Sequence, residues 1–151
     1  MKSMSFLLVV CVATSMCDLA MAIDRPNTEA VNAAMKQLEG TWRAVATEMG
    51  GKQMAPKELA DYRLVFSGAN CSIVSGKRVT SCAVVIDPGS TPKNIDLIRT
   101  SDKVVWRGIY ELKGGQLTVF LDFTGNQRPT EFKTEVGTQQ VIRTYERIKP
   151  Q

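Results

Sequence analysis

The chain predicts a mainly β fold: a single antiparallel barrel of about eight strands behind a short N-terminal helix. Three observations carry this. From Thr41 onward, apolar and polar residues alternate with a period of two in about eight short runs. Glycine pairs, Asp87-Pro88-Gly89 and similar turn formers separate those runs. No internal repeat or low-complexity tract appears, so one β-domain accounts for the whole alternating region.

Residues 1–22 stand apart from that domain. Lys2 precedes an apolar run from Phe6 to Ala13, and the stretch closes on Ala20-Met21-Ala22, the pattern of a secretory signal peptide cleaved after Ala22. The run is too short to span a bilayer, which needs about 20 apolar residues. The mature protein is therefore expected to be exported, periplasmic or extracellular, with no transmembrane segment. Removing the leader leaves roughly 130 residues, the size of one ordinary domain. It takes away one cation, Lys2, and one anion, Asp18, so the net charge stays at +4. The basic residues are scattered rather than gathered into a stripe, which argues for a solvated surface and against nucleic-acid binding.

Residues 23–40 form a short tail and a helix, and residues 41–151 the barrel domain. Asn27 or Thr28 can cap the helix, with Glu29 in its first turn. Val31, Ala34, Met35 and Leu38 fall on one stripe that can lie against the barrel or plug one end. Leu38-Glu39-Gly40-Thr41-Trp42-Arg43 ends this helix, turns at glycine and launches the first strand. The strands are predicted at 41–48, 62–67, 70–75, 78–86, 94–99, 104–112, 116–123 and 139–148. Between the first two, Pro56-Lys57-Glu58-Leu59 suits one helical turn with proline near its start. In a closed barrel the first and last strands are neighbours, so Arg143 or Arg147 can stack over the Trp42 indole; Arg143 is the preferred partner.

In the hairpin from Asn70 to Ile86, a two-residue turn at Gly76-Lys77 pairs Cys71 directly with Cys82. In an exported protein the pair is expected to form a disulfide, which by closing a loop of about a dozen residues would stabilise by roughly 2–3 kcal/mol. Two buried thiols are the alternative. Without a Cys-x-x-Cys spacing, a redox-active role is not expected.

The mature chain has no histidine, which removes serine–histidine triads, histidine-ligated zinc and histidine acid–base chemistry. Two cysteines alone do not make a structural zinc site. Asp87, Asp96, Asp122 and Glu131 are the acidic residues one would nominate for acid–base work, and no motif pairs them. No catalytic residue, metal or cofactor is expected, and the protein is read as a non-enzyme.

Candidate binding residues come from the strand at 104–112, where the inner face is assigned to Val104, Trp106, Gly108, Tyr110 and Leu112. Leu117, Val119, Leu121 and Phe123 make an unbroken inner face on the next strand. Gly108, between two aromatics, marks either a bulge or space inside the barrel for a ligand. On the second reading Trp106, Gly108, Tyr110 and Leu121 line a cavity, and leucine at 108 would block binding while sparing the fold. Arg128-Pro129-Thr130-Glu131-Phe132 lies in a long segment before the last strand. Arg128, Glu131 and Phe132 form either a ligand-facing rim or an ordered lid, in which Phe132 plugs the barrel and Arg128 pairs with Glu131.

Several blocks together resemble the uncharacterised, secreted, lipocalin-like domain family abundant in planctomycete bacteria. They are Leu38-Glu39-Gly40-Thr41-Trp42, Arg63-Leu64-Val65-Phe66, Asp87-Pro88 followed by Pro92-Lys93-Asn94-Ile95-Asp96-Leu97, Gly108-Ile109-Tyr110-Glu111-Leu112, and Arg128 to Phe132. They fall in order across about residues 35–148. The resemblance implies a small lipocalin or calycin type of antiparallel barrel and carries over no activity, ligand or catalytic residue. The cysteine pair is not part of the family pattern, and the last strand is more polar than that pattern. The leading functional expectation is a non-catalytic binding module for a small, largely apolar ligand. The alternative is a filled barrel that works through its basic surface on an envelope protein partner, or as an inhibitor-like protein.

Overall fold

The computed structural model describes residues 27–149. The expected signal peptide, 1–22, and the tail at 23–26 lie outside the described residues. Nine strands follow the helix α1 (Thr28–Leu38): β1 (Gly40–Met49), β2 (Lys52–Gln53), β3 (Tyr62–Ser67), β4 (Asn70–Ser75), β5 (Arg78–Asp87), β6 (Lys93–Arg99), β7 (Val105–Lys113), β8 (Gln116–Asp122) and β9 (Gln140–Arg147). A helical turn, α2 (Pro56–Leu59), sits between β2 and β3. All pairings are antiparallel between neighbours, and β9 returns to pair with β1. Eight strands thus close a lipocalin-like up-and-down barrel, with β2 an extra short strand on the end of β1.

Helix α1 is capped by Asn27, whose side chain accepts from the Glu29 amide at 3.0 Å. Its apolar stripe packs onto the core with Leu38 fully buried. The chain then turns through Gly40 at φ +109°, a backbone region that disfavours any side chain. Trp42 follows, and its Nε1 donates to the Leu38 carbonyl at 2.8 Å.

The partner of the Trp42 ring is Arg147, not Arg143. The Arg147 guanidinium lies 4.1 Å from the ring centroid. It also donates to the carbonyls of Gln37, at 2.5 Å, and Glu39. The cause is direction: in an antiparallel seam the start of β1 faces the end of β9, and Trp42 is in register with Arg147. Arg143 falls further along, opposite Thr47.

Between Ala44 and Ala46 the β1–β9 register shifts by one residue, a β-bulge that an unbroken first strand does not foresee. Trp42 and Ala44 face the interior before the bulge and Thr47 after it, so the alternation changes phase. Glu48 consequently points outward, where it accepts a hydrogen bond from the Thr134 hydroxyl.

Leu64, Ile95, Leu97 and Leu117, all essentially buried, fill the barrel interior. The void left among Leu64, Leu97, Leu121 and Arg143 is about 10 Å³, no larger than a water needs. Cys71 and Cys82 are in register as the hairpin arithmetic requires. They are free thiols rather than a disulfide. The two hydrogen-bond each other, which pushes the Cys71 thiol up and, with Arg99 nearby, pulls the Cys82 thiol down.

Replacing Arg147 by alanine removes the ring contact and two carbonyl partners at once. We expect a loss of about 1–2 kcal/mol in urea unfolding. Trp42 fluorescence should shift to the red as water reaches the indole.

Candidate ligand-binding site

Among the described residues, a concavity large enough for a small molecule lies at the barrel's rim, and the interior leaves far less room. A cleft of about 550 Å³ opens between the β5–β6 turn, the end of β7 and the long segment before β9. Pro92, Leu112 and Phe132 supply apolar wall, with Lys93, Glu131 and the Ser90 and Thr91 hydroxyls among the polar groups. Because β6 begins and β7 ends here, this is the end of the barrel at which β1 also begins.

Tyr110 borders the cleft with 3% of its surface exposed. The Lys93 ammonium lies 6.0 Å from its ring centroid. The Tyr110 hydroxyl is buried without a hydrogen-bond partner among the described residues. Burial, with the Asp87 carboxylate adding to it, pushes this phenol up to about 12.

The four residues expected to line an internal cavity are not brought together as one. Trp106 packs edge-on against Phe123, with centroids 4.9 Å apart, and carries the Arg99 guanidinium 5.2 Å from its ring. Leu121 lines the water-sized void. Gly108 gives no space to a ligand: a Cβ there would sit 2.2 Å from the Phe120 carbonyl oxygen and 2.8 Å from the Leu121 side chain. Nor does it mark a bulge, since the register runs unbroken through it on both sides; the neighbouring backbone fills the gap, and a leucine at 108 would strike it rather than spare the fold.

The segment at 124–138 runs as a strap over the outer wall. Arg128 was expected to pair with Glu131 if the segment formed a lid; it reaches Asp96 of β6 instead. Its Nη1 lies 2.7 Å from Asp96 Oδ1, and its Nη2 donates to Oδ2 at 2.9 Å. Nη1 also donates to the Gly108 carbonyl at 2.7 Å. Phe132 does not plug the barrel: it is 37% exposed and stands on the wall of the rim cleft with Glu131. Beneath this region Ile109 and Phe120, register partners whose side chains point out of the barrel, are buried. Their apolar character on the polar parity of β7 and β8 was the available signal that something covers this face.

A second residue that sequence reasoning placed wrongly is Arg143. It is 7% exposed and projects into the barrel between Val141 and Tyr145. Its Nε donates to Thr47 Oγ1 at 2.9 Å, its guanidinium lies 4.5 Å from the Tyr62 ring centroid, and it reaches the Tyr145 hydroxyl. Burial raises the Tyr145 phenol above its usual range despite that cation.

No family model, curated protein or solved structure matches this chain. Among the described residues no helix is long and apolar enough to cross a membrane.

Two predictions follow from the strap and the phenol. Arg128→Ala should leave the barrel folded but free the strap, detected as faster proteolytic cleavage within 124–138. Tyr110→Phe removes an unpartnered buried hydroxyl and should stabilise by about 1 kcal/mol. A raised phenol contributes stability below the ordinary tyrosine range and loses it as pH climbs toward 12. The variant should therefore show a smaller fall in stability between about pH 10 and 12, Tyr145 and the raised Cys71 thiol contributing to what remains.

Proposed function

We propose that the protein is an exported, non-catalytic binding module of lipocalin-like architecture that takes a small, largely apolar molecule in the rim cleft. The observation that carries this reading is the contrast between the cleft of about 550 Å³ and the interior void of about 10 Å³. Only the first is in the range of small-molecule sites, about 300–1,000 Å³. Its wall joins Leu112 and Phe132 to a few polar groups, the mixture that orients an apolar ligand. The secretory leader and the resemblance to a secreted lipocalin-like family support export.

A non-catalytic role is supported by what the acidic candidates do. Asp87 accepts from the Gly89 amide in a turn, and Asp96 is held by Arg128. Asp122 accepts from the Thr124 amide and hydroxyl. Of the nominated set Glu131 alone lines the cleft, where Glu111 is the other carboxylate, so the nominated residues form no acid–base dyad among themselves.

The neutral fluorophore N-phenyl-1-naphthylamine provides the test. It should bind saturably, with Phe132→Ser weakening it about tenfold, equivalent to about 1.4 kcal/mol of apolar contact. Leu121→Met, inside the barrel, should leave binding unchanged. Binding insensitive to Phe132, or none at all, would remove the cleft as the site. The filled interior also favours a second reading, in which the basic surface engages an anionic envelope protein. In that case the fluorophore fails to bind, while capture of envelope components is lost on raising salt.

A further inference from the structure

We propose that Arg143 is the receptor for a single monoanion inside the barrel, a site separate from the rim cleft and independent of the reading given to it. Arginine is not deprotonated in proteins, so the interior holds a permanent positive charge. That charge is more than nine-tenths buried. Its contacts are neutral: the Thr47 hydroxyl, the Tyr62 ring and the Tyr145 hydroxyl. Among the described residues no carboxylate lies within 4.0 Å of it. A buried ion without an opposite charge is costly by several kcal/mol, which an anion would offset.

The backbone withholds the obvious counterion. Were β1 continuous, the parity that puts Trp42 and Ala44 inside would put Glu48 inside as well, on the strand that pairs with Arg143. The bulge at Ala44–Ala46 reverses that parity, brings the neutral Thr47 to Arg143 and turns Glu48 out to Thr134. Bulges re-aim side chains in this way beside functional sites. The sheet is thus built so that the interior cation is left for something other than a protein carboxylate.

Space and charge restrict the occupant. The void beside Arg143 and Tyr145 is about 10 Å³, with Leu64, Leu97 and Leu121 as apolar wall. It admits a particle about the size of a water, which points to a single halide ion and away from phosphate, sulfate or an organic acid. A halide there would accept from guanidinium N–H groups not already given to Thr47.

The full mature protein, isotopically labelled, is titrated at constant ionic strength with bromide and, separately, with acetate and sulfate. The readouts are the Arg143 Nε–H and Thr47 amide resonances. Both should shift saturably with bromide, and at least about tenfold more weakly with acetate or sulfate, which exceed the void. In Arg143→Met the Thr47 shift should vanish. That variant is expected to fold, since an apolar residue of similar length replaces a buried charge. Should it not fold, Arg143→Gln serves, and the Thr47 shift should vanish there too. No saturable shift with bromide in the wild type, equal affinity for sulfate, or an equal Thr47 shift in the variant would overturn the assignment.

Discussion

The contact on which the rest of the structure depends is Arg147 against Trp42. A meander of eight strands is only an open sheet until its first and last members pair, and open edges expose unpaired backbone groups. Here the last strand reaches the first with a guanidinium that covers an indole and simultaneously holds two carbonyls at the end of α1. A cation at a helix C-terminus also opposes the negative end of the helix dipole. The indole adds its own bond to the Leu38 carbonyl, so helix, first strand and last strand are tied at one point. Gly40 makes that arrangement sterically feasible, because its φ of +109° and the nearby Arg147 guanidinium leave little tolerance for a side chain.

Closure of this kind determines where space remains. Trp106, Phe66 and Leu97 pack from different strands into a core whose residual void is about the size of a water. An eight-stranded barrel is about at the size where its own side chains can fill it. Room is left instead where three connections meet the rim, and one wall of that room is the strap secured by Arg128. The partly buried Arg128–Asp96 ion pair has one hydrogen bond, Nη2 to Oδ2, and Nη1 beside Oδ1 donates to the Gly108 carbonyl. Gly108 therefore serves two contacts at once: its missing side chain admits the Phe120 carbonyl, and its own carbonyl anchors the strap.

Most of the architecture was legible in the sequence because it rests on local chemistry. Strands β3 and β4 begin and end where alternation and turn residues put them, and the Cys71–Cys82 register follows from the length of the Gly76-Lys77 turn. What was not legible depends on position in space. Gly108 announces that a side chain is missing without saying whether backbone or ligand fills the gap. Arg128 and Asp96 lie 32 positions apart with no periodic signal to join them. The bulge in β1 leaves no glycine or proline mark at Ala44-Val45-Ala46, so the phase change that turns Thr47 inward was invisible. The exchange of roles between Arg143 and Arg147 could have been foreseen, since antiparallel pairing alone sets the start of β1 against the end of β9.

The two ends of the seam are unequal, and that inequality bears on how the interior cation is reached. Near Gly40 the β1–β9 pair is clamped by the indole, the guanidinium and the end of α1. Toward Met49 the ladder has already been interrupted by the bulge, and what lies beyond is the two-residue β2 and the single helical turn α2. Interrupted ladders and short elements with few partners open at lower free energy than a continuous core. Arg143 and Thr47 lie on this weaker side of the bulge, and Tyr62 opens β3 beside them. On the proposed assignment, an anion entering the barrel meets the least resistance at the end away from the helix, where the guanidinium lies against the Thr47 hydroxyl and the Tyr62 ring.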